Sequence, residues 1–92
     1  MIKSFKHKGL EELFRKGRSK RIGADARAKL VRILQVLDQA TSPYDMNLSG
    51  WVLHEYTYRE KGKWSVKVTG NMRVIFRWRD GDAVDVDFED PH

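Results

Sequence analysis

The chain has no cysteine. Disulfides and thiolate metal sites are therefore excluded, and a small secreted disulfide scaffold is not expected. It has two prolines, so it lacks the composition of a Pro-rich linker or tail. No apolar run approaches the ~18 residues of a membrane span, and the opening Met1-Ile2-Lys3-Ser4 does not start a signal peptide. A cytoplasmic chain with no membrane partner is the expectation. Metal-ligand spacings are absent too: there is no HxxxH, no CxxC and no Gly-rich phosphate loop. Neither a metal nor another cofactor is expected.

What is present is charge, unevenly placed. Net charge is +5 over 92 residues, and 34% of residues are charged against 40% hydrophobic. That balance is globular rather than disordered, and the length makes one small domain, residues 1–92. Residues 1–21 carry eight Lys/Arg against two acids, and residues 59–79 carry seven against one. Residues 80–92 reverse this, with six acids and no Lys or Arg. A domain with a pI near 9.7 and two basic segments reads as a binder of polyanions, with a solvated charged surface as the plainer reading.

Periodicity divides the chain in two. Leu10, Leu13 and Phe14 recur at helical spacing in residues 7–16, and Gly17 stands where a helix would stop. Residues 24–41 form the clearer helix, with Leu30, Ile33, Leu34, Leu37 and Ala40 on one stripe and Ser42-Pro43 ending it. Between them lies the basic loop "GRSKRIG". The period then becomes two, which predicts strands over residues 51–58, 64–69, 72–79 and 83–89, with residues 1–6 as an edge strand. The predicted fold is α+β: a helical hairpin packed on one face of a small, mainly antiparallel sheet.

The last hairpin predicts its own register. Arg73, Arg77 and Arg79 share one face of their strand, and Asp85, Asp87 and Glu89 alternate along the next. A three-residue turn, Asp80-Gly81-Asp82, sets Arg77 opposite Asp85, Phe76 opposite Val86 and Arg73 opposite Glu89. Such exposed pairs are worth about 0.2–1 kcal/mol each. Asp90 and His92 lie beyond that pattern.

Three histidines are candidates for chemistry. His7 sits among lysines at a helix start and suggests no role. In "WVLHEYTY", alternation puts His54 on one strand face with Val52, Tyr56 and Tyr58. Aromatic rings stack on nucleobases, and histidine titrates near neutral pH. Taken alone, a polar residue on an ordinary half-exposed strand accounts for His54 better. The combination is more informative. RNA is cut when one group takes the proton from a 2′-hydroxyl, another protonates the leaving 5′-oxygen, and a cation holds the phosphate. His54, His92, Asp90 and Arg73 supply such a set.

Residues 51–92 resemble the HigB branch of the RelE/ParE toxin superfamily, toxins of bacterial toxin–antitoxin pairs. The resemblance is carried by Leu53-His54, "GKWSVKV", "MRVIFRW", the Asp-Gly hairpin and the closing Asp-x-His. "MIKSFKHKGLEELF" extends it to nearly the whole chain. It implies a RelE-like sheet with a helical hairpin and ribosome-dependent mRNA cleavage in the decoding site of the small subunit. It also implies a helix-turn-helix antitoxin of the HigA kind, with DNA reached only through that antitoxin. His54, Arg73, Asp90 and His92 match the family's catalytic positions. Three features depart from the family pattern: Pro91 replaces a tyrosine, Thr57-Tyr58 a Lys-Gly or similar basic step, and Met72 a tryptophan. Tyr56, Tyr58 and Lys67 on the sheet, and Arg18, Lys20 and Arg21 in the basic loop, are the expected RNA contacts. Two alternatives remain: a non-catalytic gyrase inhibitor of the ParE kind, and a plain nucleic-acid-binding module.

Overall fold

The structure is a computed structural model and describes residues 1–90, apart from the side chain of Tyr58. Helix α1 spans Lys8–Lys16. His7 starts it from an extended backbone, and its Nδ1 accepts from the Leu10 N–H at 3.2 Å. This histidine is an N-cap, satisfying an amide that the first turn leaves unpaired. Gly17 ends the helix at φ 77°, where its N–H donates to the Leu13 carbonyl. Helix α2 spans Ala24–Gln39. It stops short of the expected residue 41 because Ala40 is extended. Ser42 then caps a 3-10 turn, Pro43–Met46, with Asp45 accepting from the Thr41 and Ser42 amides.

Four strands form one sheet in the order β1-β2-β3-β4, every neighbour antiparallel: β1 His54–Glu55, β2 Lys63–Thr69, β3 Met72–Arg79 and β4 Asp82–Glu89. The helical hairpin covers one face, with α2 against β2 and α1 against β4. Leu10, Leu13, Leu30, Ile33, Leu34 and Leu37 meet Trp64, Val66, Val74, Phe76 and Val86 in one core. The α+β expectation is met.

Two predicted details are corrected. The strand expected over residues 51–58 is ordered as a ladder for only two residues. Val52 lies at φ 48°, in the left-handed region, and a 3-10 turn, Tyr58–Glu60, follows. The flanks still track β2, since Lys67 N–H donates to the Trp51 carbonyl at 2.7 Å and Tyr56 N–H to the Lys63 carbonyl at 2.9 Å.

The β3–β4 turn has two residues rather than three. Asp80 and Gly81 both have positive φ, 52° and 83°, the backbone of the mirror-image turn that matches strand twist. Arg79 therefore faces Asp82, Trp78 faces Ala83 and Arg77 faces Val84, not Asp85. A bulge then shifts the ladder by one: Asp85 sits at φ 53°, and beyond it Ile75 faces Asp87, Val74 faces Phe88 and Arg73 faces Glu89. The extra residue lies in the strand instead of in the turn. It returns the far half of the hairpin to the expected register.

The acids of β4 do not pair with the arginines of β3. Among the described residues no ion pair joins them. Asp82 and Asp85 fasten the start of the chain instead. Asp82 lies 3.4 Å from the N-terminal ammonium. The Asp85 N–H donates to Ser4 Oγ at 2.8 Å, and Ser4 Oγ lies 3.4 Å from the Asp85 carboxylate. Ile2 and Phe5 form parallel bridges to Ala83 and Val86, so residues 1–6 run along the exposed edge of β4.

Candidate active site on the open sheet face

Alternation sends Trp64, Val66 and Val68 of β2 into the core and leaves Lys63, Ser65 and Lys67 on the opposite face. In β3 the same rule separates Val74 and Phe76 from Arg73, Ile75 and Arg77. The registers then build rows across the open face. One row is His54, Ser65, Ile75 and Asp87; its neighbour is Lys67, Arg73 and Glu89.

Arg73 does not extend toward Glu89. Its Nε–H donates to Ser65 Oγ at 2.7 Å, and Nη2 donates to the Ser65 carbonyl at 3.3 Å and to the Val52 carbonyl. The guanidinium thus crosses β2 and reaches the segment that leads into His54. His54 and Arg73, far apart in sequence, converge on Ser65. His54 is exposed, and its ring meets Tyr56 edge-on with centroids 4.7 Å apart. One face of Tyr56 is occupied by the Lys63 ammonium, 4.8 Å from the ring centroid, which also bonds Glu60 at 2.9 Å. Lys67 is exposed in the row that contains Arg73.

Asp90 is exposed and follows Glu89, which faces Arg73 in the ladder. The end of β4 therefore delivers Asp90 to the edge of this constellation. His92 and the Tyr58 side chain lie outside the described residues.

Arg18, Lys20 and Arg21 are elsewhere. With Lys16, Arg27, Glu12 and Ser19 they line a cleft of about 890 Å³ between the two helices. Ser19 is buried at its base, donating to Glu12 at 3.0 Å and accepting from the Arg21 N–H at 3.2 Å. The cleft shares no residue with the open sheet face, so the expected RNA contacts fall into two separate regions. Among the described residues no cluster of His, Cys, Asp or Glu is arranged to hold a metal ion.

Sequence reasoning missed Ser65 and Val52. For Ser65 a signal exists, because alternation puts this small hydroxyl between two lysines on the face of His54. For Val52 there is none: a carbonyl has no side-chain signature, and a β-branched residue does not announce a positive φ.

Comparison with known proteins adds the lineage. A family model described as RelE-like toxin of type II toxin-antitoxin system HigB matches residues 3–92. Endoribonuclease HigB of Proteus vulgaris is 39% identical over 92 residues, the whole of both chains. Toxin HigB-1 of Vibrio cholerae is 32% identical over 94 residues, covering this chain entirely and 98% of that protein.

Proposed function

The chain belongs to the HigB-like family, RelE-like toxins of type II toxin–antitoxin systems, and from that premise we propose that it is an endoribonuclease that cuts mRNA on the ribosome. The observation that supports this reading is that Arg73 bonds Ser65, the ladder partner of His54, while Asp90 follows Glu89, the ladder partner of Arg73. An endoribonuclease among its relatives, alike over the full length, supports it.

The chemistry needs two proton carriers and one cation. One imidazole of the pair His54 and His92 takes the proton from the 2′-hydroxyl, and that oxygen attacks phosphorus. The other imidazole protonates the departing 5′-oxygen. Arg73 stabilises the charge that builds on the phosphate, and Asp90 orients one of the imidazoles. The products are a 2′,3′-cyclic phosphate and a 5′-hydroxyl, and no step requires a metal. Tyr56, Tyr58 and Lys67 grip the mRNA in the decoding site of the small subunit. Arg18, Lys20 and Arg21 in the helix cleft, joined by Lys16 and Arg27, hold ribosomal RNA.

A toxin of a type II system has an antitoxin. A helix-turn-helix antitoxin of the HigA kind, masking part of the basic surface, suits the charge, and DNA is then met only through that partner. No described helix is long and apolar enough to cross a membrane. A cytoplasmic site of action follows from the ribosomal target.

The test is a reconstituted translation system with sequencing of cleaved ends. Message cut only on ribosomes, with 5′-hydroxyl ends and no inhibition by EDTA beyond its effect on the ribosome, is the expected result. Ends bearing 5′-phosphate would defeat the acid–base scheme. Intact message with inhibited gyrase would point to the ParE-type alternative.

A further inference from the structure

We propose that Ser65 is a positioning residue of this site, holding the Arg73 guanidinium in a cradle completed by the Val52 carbonyl; the proposal rests on the endoribonuclease reading. Ser65 is wholly buried, yet it stands outside the hydrophobic core cluster, on the sheet face away from the helices. A buried hydroxyl must find a partner. Its partner is Arg73 Nε at 2.7 Å, the shorter of the two bonds that Arg73 makes to Ser65.

The pattern of bonds decides what the arginine can do. A guanidinium has five N–H donors in a planar fork. Nε–H and both hydrogens of Nη2 are spent on Ser65 Oγ, the Ser65 carbonyl and the Val52 carbonyl. Among the described residues nothing accepts from Nη1, and its two hydrogens are left for a phosphate oxygen. A fork held along one edge cannot rotate, so its other edge has a fixed aim. A long side chain without that hold would lose the alignment that transition-state stabilisation requires.

The cradle also links the two rows of the site. Ser65 is the ladder partner of His54, and Val52 lies two residues before it. Val52 is β-branched, 59% exposed and at φ 48°, a backbone its own side chain does not favour. That conformation turns its carbonyl to Arg73. Strain of this kind, next to a candidate proton carrier, is retained where the surroundings hold it. Here the holder is the arginine.

The experiment is a double-mutant cycle with an independent reading of the cradle. Cleavage of a defined message on ribosomes is measured for the wild type, Ser65→Ala, Arg73→Ala and the double variant. Ser65→Ala should lower kcat about tenfold to a hundredfold with KM moving little. In the Arg73→Ala background the same change should cost nothing further, because its effect passes through the arginine. In parallel, NMR of the free protein follows the Arg73 Nε–H, which should exchange slowly with water in the wild type and rapidly in Ser65→Ala. If Ser65→Ala unfolds the sheet, Ser65→Cys takes its place, with a weaker acceptor of similar size. Unchanged kcat, an equal loss in both backgrounds, or a retained slow Nε–H would each overturn the proposal. If the wild type cleaves no RNA while its Nε–H is slow and depends on Ser65, the function reading fails and the cradle stands.

Discussion

Arg73 and Glu89 face each other across β3 and β4, yet the arginine turns its back on the glutamate and bonds Ser65 and Val52 across the other neighbouring strand. The choice follows from burial. An exposed ion pair is worth about 0–1 kcal/mol after screening and side-chain ordering. A half-buried guanidinium satisfying one buried hydroxyl and two carbonyls gains bonds to a charged donor, worth about 1.5–3 kcal/mol each. The same alternative also leaves no buried polar atom orphaned, and none is found among the described side chains.

That relationship makes Val52 a place where stability has been left unclaimed. A non-glycine residue in the left-handed region costs about 1–2 kcal/mol, and asparagine tolerates it better than a β-branched side chain. Val52 is 59% exposed, so little burial is lost on replacement. Val52→Asn should therefore raise unfolding free energy by roughly 0.5–1 kcal/mol in a urea titration, a fraction of the strain. A fall in stability would mean that the Val52 side chain contributes packing that its exposure does not suggest.

The edge of β4 offers a second measurement. Ser4 Oγ accepts the Asp85 N–H at the bulge, and the neighbouring Val86 N–H donates to the Ser4 carbonyl at 3.1 Å. Ser4→Ala removes the first bond, with the 3.4 Å contact from Ser4 Oγ to the Asp85 carboxylate, and leaves the second. The expected cost is about 1 kcal/mol, with faster hydrogen exchange at Asp85 and unchanged cleavage. Unaltered exchange at Asp85 would show that the bulge is held by its backbone alone.

These contacts mark where sequence stopped being legible. Helix periodicity placed α1 and α2 because a stripe such as Leu30, Ile33, Leu34 and Leu37 has a single way to be buried. Alternation placed His54 and Arg73 on the open face for the same reason. The bulge at Asp85 was hidden, since one extra residue in a turn and one in a strand give the same register beyond it. The acids of β4 misled because charge complementarity to Arg77 was visible in sequence, while Ser4, distant along the chain, was not. Ser65 carried a weak signal, a small hydroxyl between two lysines on the face of His54, but its role became legible only once Arg73 was seen to reach it.

The helix cleft is a test of charge rather than of fold. Arg18, Lys20 and Arg21 are exposed or form weak contacts, the best being Arg21 at 3.6 Å from Glu12. Replacing all three with glutamate should shift the melting temperature by no more than a few degrees. Ribosome association should weaken and lose part of its salt dependence, because fewer phosphates are neutralised. Unchanged association would assign this charge to the antitoxin surface or to solubility.

The heaviest prediction falls on the histidines. His54 is exposed and forms an edge contact with Tyr56, so its removal should alter stability by no more than about 0.5 kcal/mol. His92 lies beyond Phe88, the last apolar residue of the chain, and is expected to be equally dispensable to folding. A positioned acid or base is worth about 10²–10⁴-fold in rate. The two magnitudes pull the readings apart. His54→Ala and His92→Ala should fold and bind ribosomes, yet fail to arrest growth on expression. Asp90→Ala should lose less, because it orients a proton carrier rather than being one. Mass action gives the comparison its control: variants must accumulate to equal levels without antitoxin before growth is compared. A chain ended after Asp90 that still arrested growth at the wild-type level would remove His92 from the mechanism. Cleavage would then have to rest on His54 and Arg73 alone, or the target would have to be something other than RNA.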